Sequence, residues 1–186
     1  MVEPLAVTFF PVAFLATLFI GGQQFRRRHI DMDGDAPIGK TVFYGSKYLI
    51  VVLWIAVVLD AWGIEVSFFS GPESLRWVAL CIWASGFLFL FAGRFELGAS
   101  FRIGRPQEST RLRTGGLFRI SRNPMYLGVY ATLLASVLRT LNPVLLLLGA
   151  FIVAVHHRIV LAEEAHLRNT FGEEYADYCR RVRRYL

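Results

Sequence analysis

The chain has 186 residues, of which 55% are hydrophobic and 18% are charged, and its formal net charge is +6. A soluble domain of this length is usually less apolar and richer in charge, so the composition argues against an ordinary globular protein and favours an integral membrane protein. The two cysteines are too few to form a disulfide framework.

The hydrophobic residues fall into five blocks, and each block predicts a membrane-embedded helix. In chain order the blocks cover residues 5–20, 48–59, 77–92, 125–138 and 144–155. The first block is followed, not preceded, by basic residues, which is the reverse of a secretory signal, so we expect it to be retained. The last two blocks are short and are joined by a tight turn at Asn142-Pro143. They predict a helical hairpin, and their length leaves open whether it crosses the bilayer fully or partly.

The basic residues predict the orientation of these helices. Of the 20 Lys and Arg residues, 18 lie in the segments 23–47, 94–122 and 158–184, and only Arg76 and Arg139 remain for the other side. The positive-inside rule then predicts a multi-pass protein with its N-terminus outside and its C-terminus in the cytoplasm, in the inner membrane if the source is prokaryotic. The charge therefore favours membrane lipids as partners over nucleic acid.

We interpret the chain as one all-α polytopic membrane domain. Residues 1–93 would form a three-helix frame, and residues 94–186 would carry a loop, the hairpin and a final helix. The loop 94–123 is rich in glycine, and loops of this length in small domains are usually functional or disordered. In the tail, apolar residues recur every three to six positions over 161–185. This spacing predicts an amphipathic helix, broken near Gly172, that lies along the membrane surface or packs under the bundle.

The stretch Thr114–Gly128 is the most informative for chemistry, because a glycine-rich loop there enters a membrane helix. Pro124 suits the first helical position, and Asn123 is a good cap before it. Free N–H groups and the positive end of the helix dipole would suit a carboxylate-bearing ligand. The alternative is a capped helix with interfacial arginines and an aromatic anchor.

Ionisable residues follow the last apolar block. Glu163 and Glu164 lie near hydrocarbon depth, where such residues usually line a cavity or form ion pairs, so a site and a salt-bridged helix end are both open. His156 and His157 are adjacent and point ~100° apart on a helix, so they do not suit a shared metal ion. Since the spacings of membrane di-iron enzymes are also missing, we predict no metal site.

Taken together, these motifs resemble the isoprenylcysteine carboxyl methyltransferase family and its relatives, the phospholipid N-methyltransferases. The resemblance covers roughly residues 94–185. It rests on the order of Leu97-Gly98, Leu112, Thr114-Gly115-Gly116-Leu117-Phe118, Arg122-Asn123-Pro124-Met125-Tyr126, Asn142-Pro143, Glu163-Glu164, Leu167, Phe171-Gly172, Tyr175 and Tyr178.

The resemblance implies a small membrane methyltransferase that binds S-adenosylmethionine. Carried over by position, the cofactor contacts would be Asn123, Pro124, Met125 and Tyr126, with Leu112, Arg113 and Phe118 from the preceding loop and Glu163 from the last helix. Two positions depart from the family. Its histidine is Asn123 here, and its substrate-side arginine falls at Ile159, next to Arg158. The second departure favours a lipophilic acceptor other than a prenylcysteine.

Methyl transfer to oxygen or nitrogen is a direct displacement, so an enzyme of this kind mainly holds donor and acceptor in line away from water. We expect Arg158, and also Arg122, to orient the acceptor. A carboxylate acceptor needs no base, whereas an amine must lose a proton, for which Glu164, His156 and His157 are the predicted acceptors. The methyl acceptor would be a prenylcysteine-like carboxylate, a lipid amine or another hydrophobic small molecule.

Two other functions remain open on sequence grounds. Membrane sterol and steroid reductases, which use NADPH, have a similar Arg-x-Pro-x-Tyr segment, and Tyr178-Cys179 is like theirs. However, Met125 and the Glu163-Glu164 pair differ from the reductase pattern. The third function is a non-catalytic membrane scaffold or carrier that keeps the same fold.

Overall fold

The computed structural model describes residues 2–27, 36–98 and 112–186. In this part of the chain there are five α-helices and no strand, which confirms the predicted all-α class. The helices are α1 (Val2–Arg27), α2 (Lys40–Ala61), α3 (Glu73–Leu97), α4 (Pro124–Thr140) and α5 (Pro143–Arg181), with a 3-10 turn at Gly116–Arg119 before α4.

Four of these helices, α1, α2, α3 and α5, are long and apolar enough to cross a membrane. The predicted membrane protein is therefore confirmed, with about the predicted number of helices. The shortest helix, α4, has 17 residues and spans about 26 Å at the α-helical rise. Which end of the bundle faces the cytoplasm stays a prediction from the charge pattern, as does the division of the domain at residue 93.

The closest helix contact joins α3 to α4 through glycines. A Cβ built on Gly128 would lie 2.7 Å from the carbonyl oxygen of Gly86, and one on Gly86 would lie 2.9 Å from that of Gly128. Small residues at this crossing let the two backbones touch, as membrane helices commonly do. Further along the same interface, Gly93 makes room for the side chain of Met125, whose Cγ would lie 2.5 Å from an added Cβ.

Aromatic residues fill the interior between the first four helices. Trp54, Trp83 and Phe87 are at most 4% exposed, and their rings pack edge to face or tilted against one another. The indole N–H of Trp54 donates to Thr132 Oγ1 at 3.0 Å, which joins α2 to α4. Buried indoles usually find such a partner, so these residues contribute both packing and a fixed register.

At the end of the bundle where α4 stops, a buried arginine joins three segments. Arg139 on α4 is ion-paired with Asp60 on α2 at 3.2 Å and with Glu3 on α1. The turn to α5 follows directly. Asn142 accepts hydrogen bonds from the N–H groups of Val144 and Leu145 and caps α5, as its sequence position suggests.

The predicted helical tail is confirmed, but it does not begin as a new helix near residue 161. The second hairpin helix continues past residue 161 as far as the kink at Gly172, and α5 ends at Arg181, because buried residues such as Ile159 and Val160 carry its packing beyond the predicted apolar block. The predicted break at Gly172 is confirmed by a φ of 51° inside α5. Beyond it, the tail packs under the bundle, which is one of the two arrangements left open, with Tyr175, Tyr178 and Val182 buried against Leu112, Phe118, Leu167 and Phe171.

Candidate functional site

The predicted site residues lie at the end of the bundle where α4 begins. The turn that leads into α4 is fixed by an unpredicted residue, Glu96 at the end of α3. Both of its carboxylate oxygens accept from the N–H of Leu117 at 3.0 Å. Gly116 has a φ of 57°, and a Cβ there would overlap the Glu96 carboxylate, so both backbone and space require glycine. The loop of 94–123 is described only in part, since residues 99–111 lie outside the described residues.

Pro124 is the first residue of α4, as predicted, but the capping role predicted for Asn123 is wrong. Its side chain makes no capping hydrogen bond. Instead its Nδ2 donates to Glu164 Oε1 at 3.3 Å and to the Arg184 carbonyl at 3.2 Å. These two hydrogen bonds hold the amide group of Asn123 toward Glu164 and the residues after α5. Among the described residues, Asn123 therefore leaves the first N–H groups of α4 without a side-chain cap of its own.

Glu164 is the centre of a charged cluster. Its Oε1 accepts from Arg122 at 2.9 and 3.2 Å, and its Oε2 accepts from Arg184 at 2.9 and 3.0 Å. These hydrogen bonds raise the pKa of Arg184 above its usual value. Glu164 is only 7% exposed, so this half of the Glu-Glu pair is a salt-bridged residue. Ion pairs account for Glu164 and Arg122 structurally, and their catalytic roles stay predictions.

The adjacent carboxylate belongs to a second cluster, because one residue turns the side chain ~100° around a helix. The Tyr126 hydroxyl donates to Glu163 Oε1 at 3.0 Å, and its ring packs edge to face on His156 with centroids 5.5 Å apart. Lys47 on α2, which the sequence interpretation missed, is close enough to attract Glu163 and to repel a protonated His156. His156 is 1% exposed, and neither ring nitrogen has a hydrogen-bond partner among the described residues.

The other predicted cofactor contacts are distributed around these two clusters. Leu112 and Phe118 pack on the tail of α5, and the Phe118 carbonyl accepts from the Tyr178 hydroxyl at 2.6 Å. Pro124 is buried at the start of α4, and Met125 faces α3.

Two predicted residues are not brought to either cluster within the described part of the chain. The side chains of Arg113 and Arg158 are exposed. Ile159, the residue after Arg158, is fully buried, and the turn of the helix between neighbours directs Arg158 outward. This placement does not support an orienting role for Arg158, which stays a prediction without structural support.

Sequence reasoning also missed the residues that follow α5. Buried Ser121 donates to the carbonyl of Arg184 at 3.1 Å, and the Tyr185 hydroxyl lies 2.9 Å from His157 Nδ1. No periodic pattern marks these residues, because they are placed by contacts with distant parts of the chain. Lys47 could have been found, since a lysine seven residues into an apolar helix is costly unless it has a role.

A comparison with known protein families shows to which family the chain belongs. A model of the phospholipid methyltransferase family matches residues 75–174, more than half of the chain. The chain belongs to this family. As a phospholipid methyltransferase family member it falls in the same group of membrane methyltransferases as the isoprenylcysteine carboxyl methyltransferases, which confirms the resemblance described above. Members of the phospholipid methyltransferase family generally use S-adenosylmethionine. No curated protein matches the chain.

Proposed function

We propose that the chain is an S-adenosylmethionine-dependent methyltransferase for a lipophilic acceptor, such as a prenylcysteine-like carboxylate, a lipid amine or another hydrophobic molecule. The observation that carries the proposal is the pairing of Tyr126 with Glu163 beside the uncapped start of α4, in a member of a methyltransferase family. Family membership also favours this function over an NADPH-dependent reductase.

The residues present fit the charges of S-adenosylmethionine, which has an ammonium, a carboxylate and a sulfonium group. Glu163 offers an anionic partner for the ammonium group. The uncapped N–H groups at the start of α4 offer hydrogen bonds and a positive dipole end to the carboxylate. The Tyr126 ring is an aromatic surface of the kind that attracts cations. The contributions of Leu112, Arg113 and Phe118 remain part of this proposal.

The donor supplies an electrophilic methyl group, and the protein has to orient the reactants and exclude water. The Tyr126 hydroxyl fixes the orientation of the Glu163 carboxylate. An amine acceptor would also need a proton acceptor. Both oxygens of Glu164 already accept hydrogen bonds from arginines, whereas His156 has no hydrogen-bond partner among the described residues. This difference argues against Glu164 for that role and leaves the two histidines, His156 and His157.

Ligand-dependent thermal unfolding of the purified protein in detergent tests the proposal. We expect S-adenosylhomocysteine to raise the unfolding temperature of the wild type and NADPH to leave it unchanged. Glu163→Gln should weaken binding about tenfold to a hundredfold, because a charge-assisted hydrogen bond is lost. Glu173→Gln, on the exposed surface of the same helix, is the matched control. Stabilisation by NADPH alone would establish the reductase, and stabilisation by none of these ligands would favour the scaffold.

A further inference from the structure

The segment Val182–Tyr185 follows α5 and folds back over the residues that precede α4. The backbone N–H of Arg122 donates to the Arg183 carbonyl at 3.0 Å. Ser121 Oγ and Asn123 Nδ2 both donate to the Arg184 carbonyl, at 3.1 and 3.2 Å. The segment is therefore fixed by hydrogen bonds to three consecutive residues on the loop side of the site.

Arg184 attaches the same segment to α5. Its Nε and Nη2 donate to Glu164 Oε2 at 3.0 and 2.9 Å. The other oxygen of Glu164 binds Arg122 of the loop. Glu164 thus holds the loop and the 182–185 segment together, and the residue before it, Glu163, is the partner of Tyr126. Displacement of the segment would disturb the helix position that carries Glu163.

Tyr185 reaches across the interface between α4 and α5. Its hydroxyl lies 2.9 Å from His157 Nδ1 on α5 and 3.5 Å from the Tyr130 hydroxyl on α4. Its ring packs against the Tyr130 ring with centroids 5.7 Å apart. Because residues four apart share a face of a helix, Tyr130 lies one turn further along α4 on the face that carries Tyr126. Tyr185 therefore lies against the turn of α4 that follows Tyr126.

We propose that the 182–185 segment is a working part of the methyl-donor site. Arg184 is a positioning residue that acts through Glu164. Tyr185 contacts the bound donor and lines the donor site beside Tyr126 and Tyr130. The inference rests on the proposed function. Its chemical basis is that a sulfonium donor is best held by aromatic rings in a site closed to water, and Tyr185 supplies both a ring and closure.

Calorimetric titration of S-adenosylmethionine, which carries the sulfonium group that S-adenosylhomocysteine lacks, into the detergent-solubilised protein tests both roles. We expect Arg184→Gln and Tyr185→Ala to weaken binding about tenfold to a hundredfold. Arg184→Lys should recover part of the lost affinity, because lysine keeps the positive charge but cannot form the bidentate hydrogen bonds to Glu164. Arg181→Gln makes the same change of charge on an exposed residue at the end of α5 and should bind as the wild type does.

A second measurement separates this role from a purely structural one. Arg183 is exposed, so tryptic cleavage after it can be followed by mass spectrometry. We expect saturating S-adenosylhomocysteine to slow this cleavage at least fivefold in the wild type, and Glu164→Gln to accelerate it without ligand. A segment that only stabilises the fold would gain no more protection from the ligand than an exposed arginine elsewhere on α5, such as Arg168.

The outcomes distinguish the two proposals. If the wild type binds S-adenosylhomocysteine but cleavage is unchanged, or if Arg184→Gln and Tyr185→Ala bind like the wild type, the role of the segment is refuted and the proposed function stands. If the wild type binds neither S-adenosylmethionine nor S-adenosylhomocysteine, the proposed function is refuted, and the donor contact of Tyr185 with it. An unchanged cleavage rate in Glu164→Gln would contradict positioning in either case.

Discussion

The glycine contact between α3 and α4 gives a sharp prediction, because the same substitution can be made at a matched position. A Cβ on Gly128 would lie 2.7 Å from the backbone oxygen of Gly86, and backbone cannot rotate away as a side chain can. An ordinary carbon–oxygen contact is about 3.3 Å or longer, so the helices would have to separate by roughly 0.6 Å. Gly128→Ala therefore forces a shift of the helix that carries Tyr126.

The expected change in the free energy of unfolding is the sum of two opposing effects. Overpacking of a tight interface costs about 1–3 kcal/mol, while alanine stabilises a helix over glycine by roughly 0.5–1 kcal/mol. In Gly149→Ala only the second term acts, because an added Cβ at this buried position on α5 would meet its nearest neighbour at 4.0 Å. We expect Gly149→Ala to be slightly stabilising and Gly128→Ala to lie about 1–3 kcal/mol below it.

Unfolding in mixed micelles, followed by circular dichroism, would measure the two free energies of unfolding. Gly128→Ala should also bind S-adenosylhomocysteine more weakly, since the Tyr126 hydroxyl would move relative to Glu163, whereas Gly149→Ala should bind normally. If the Gly128 variant proves at least as stable as the Gly149 variant, the helices tolerate the methyl group and the reasoning from close contact fails.

Three more substitutions test the charged residues and the turn. Glu164→Gln leaves two arginines without their carboxylate and should lower the free energy of unfolding. The loss should be less than the roughly 3–5 kcal/mol typical of a broken buried ion pair, because the Arg184 side chain is 36% exposed. Equal unfolding temperatures for this variant and Glu173→Gln would contradict the prediction. Lys47→Met removes a cation that competes for Glu163, so calorimetry should show tighter binding of S-adenosylhomocysteine, and weaker binding would mean that Lys47 contacts the ligand. Gly116→Ala combines a positive φ with a clash and should lower the unfolding temperature, which differential scanning fluorimetry would detect.

The features that the sequence predicted correctly depend on local signals. Pro124 begins α4, the turn at Asn142-Pro143 separates α4 from α5 and Gly172 interrupts α5, because the backbone preferences of these residues act within one or two turns. Hydrophobic length likewise predicted the membrane helices. The pairing of Glu163 with Tyr126 could be anticipated only through the order of motifs that the family shares.

The errors and omissions have a common physical origin in contacts between distant residues. Asn123 has the right identity for a cap, but its amide binds Glu164, 41 residues away. The continuation of α5 depends on burial of Ile159, which lies beyond the polar residues 156–158 at which the predicted apolar block ended. Arg184 is separated by 20 residues from its partner Glu164, and no spacing rule connects them.

The Arg139 ion pairs have a consequence for how this bundle can move. They fix the far end of α4 to α2, the bond from Trp54 to Thr132 fixes its middle, and the glycine crossing holds it against α3. A helix held at its end and centre cannot swing outward as a rigid rod. Opening and closing around ligands would therefore fall to the turn before α4 and the residues after α5, which are held by hydrogen bonds and by the Glu164 ion pair, not by packing between helices. The hairpin is thus the rigid side of the site, and the two short segments are its movable side.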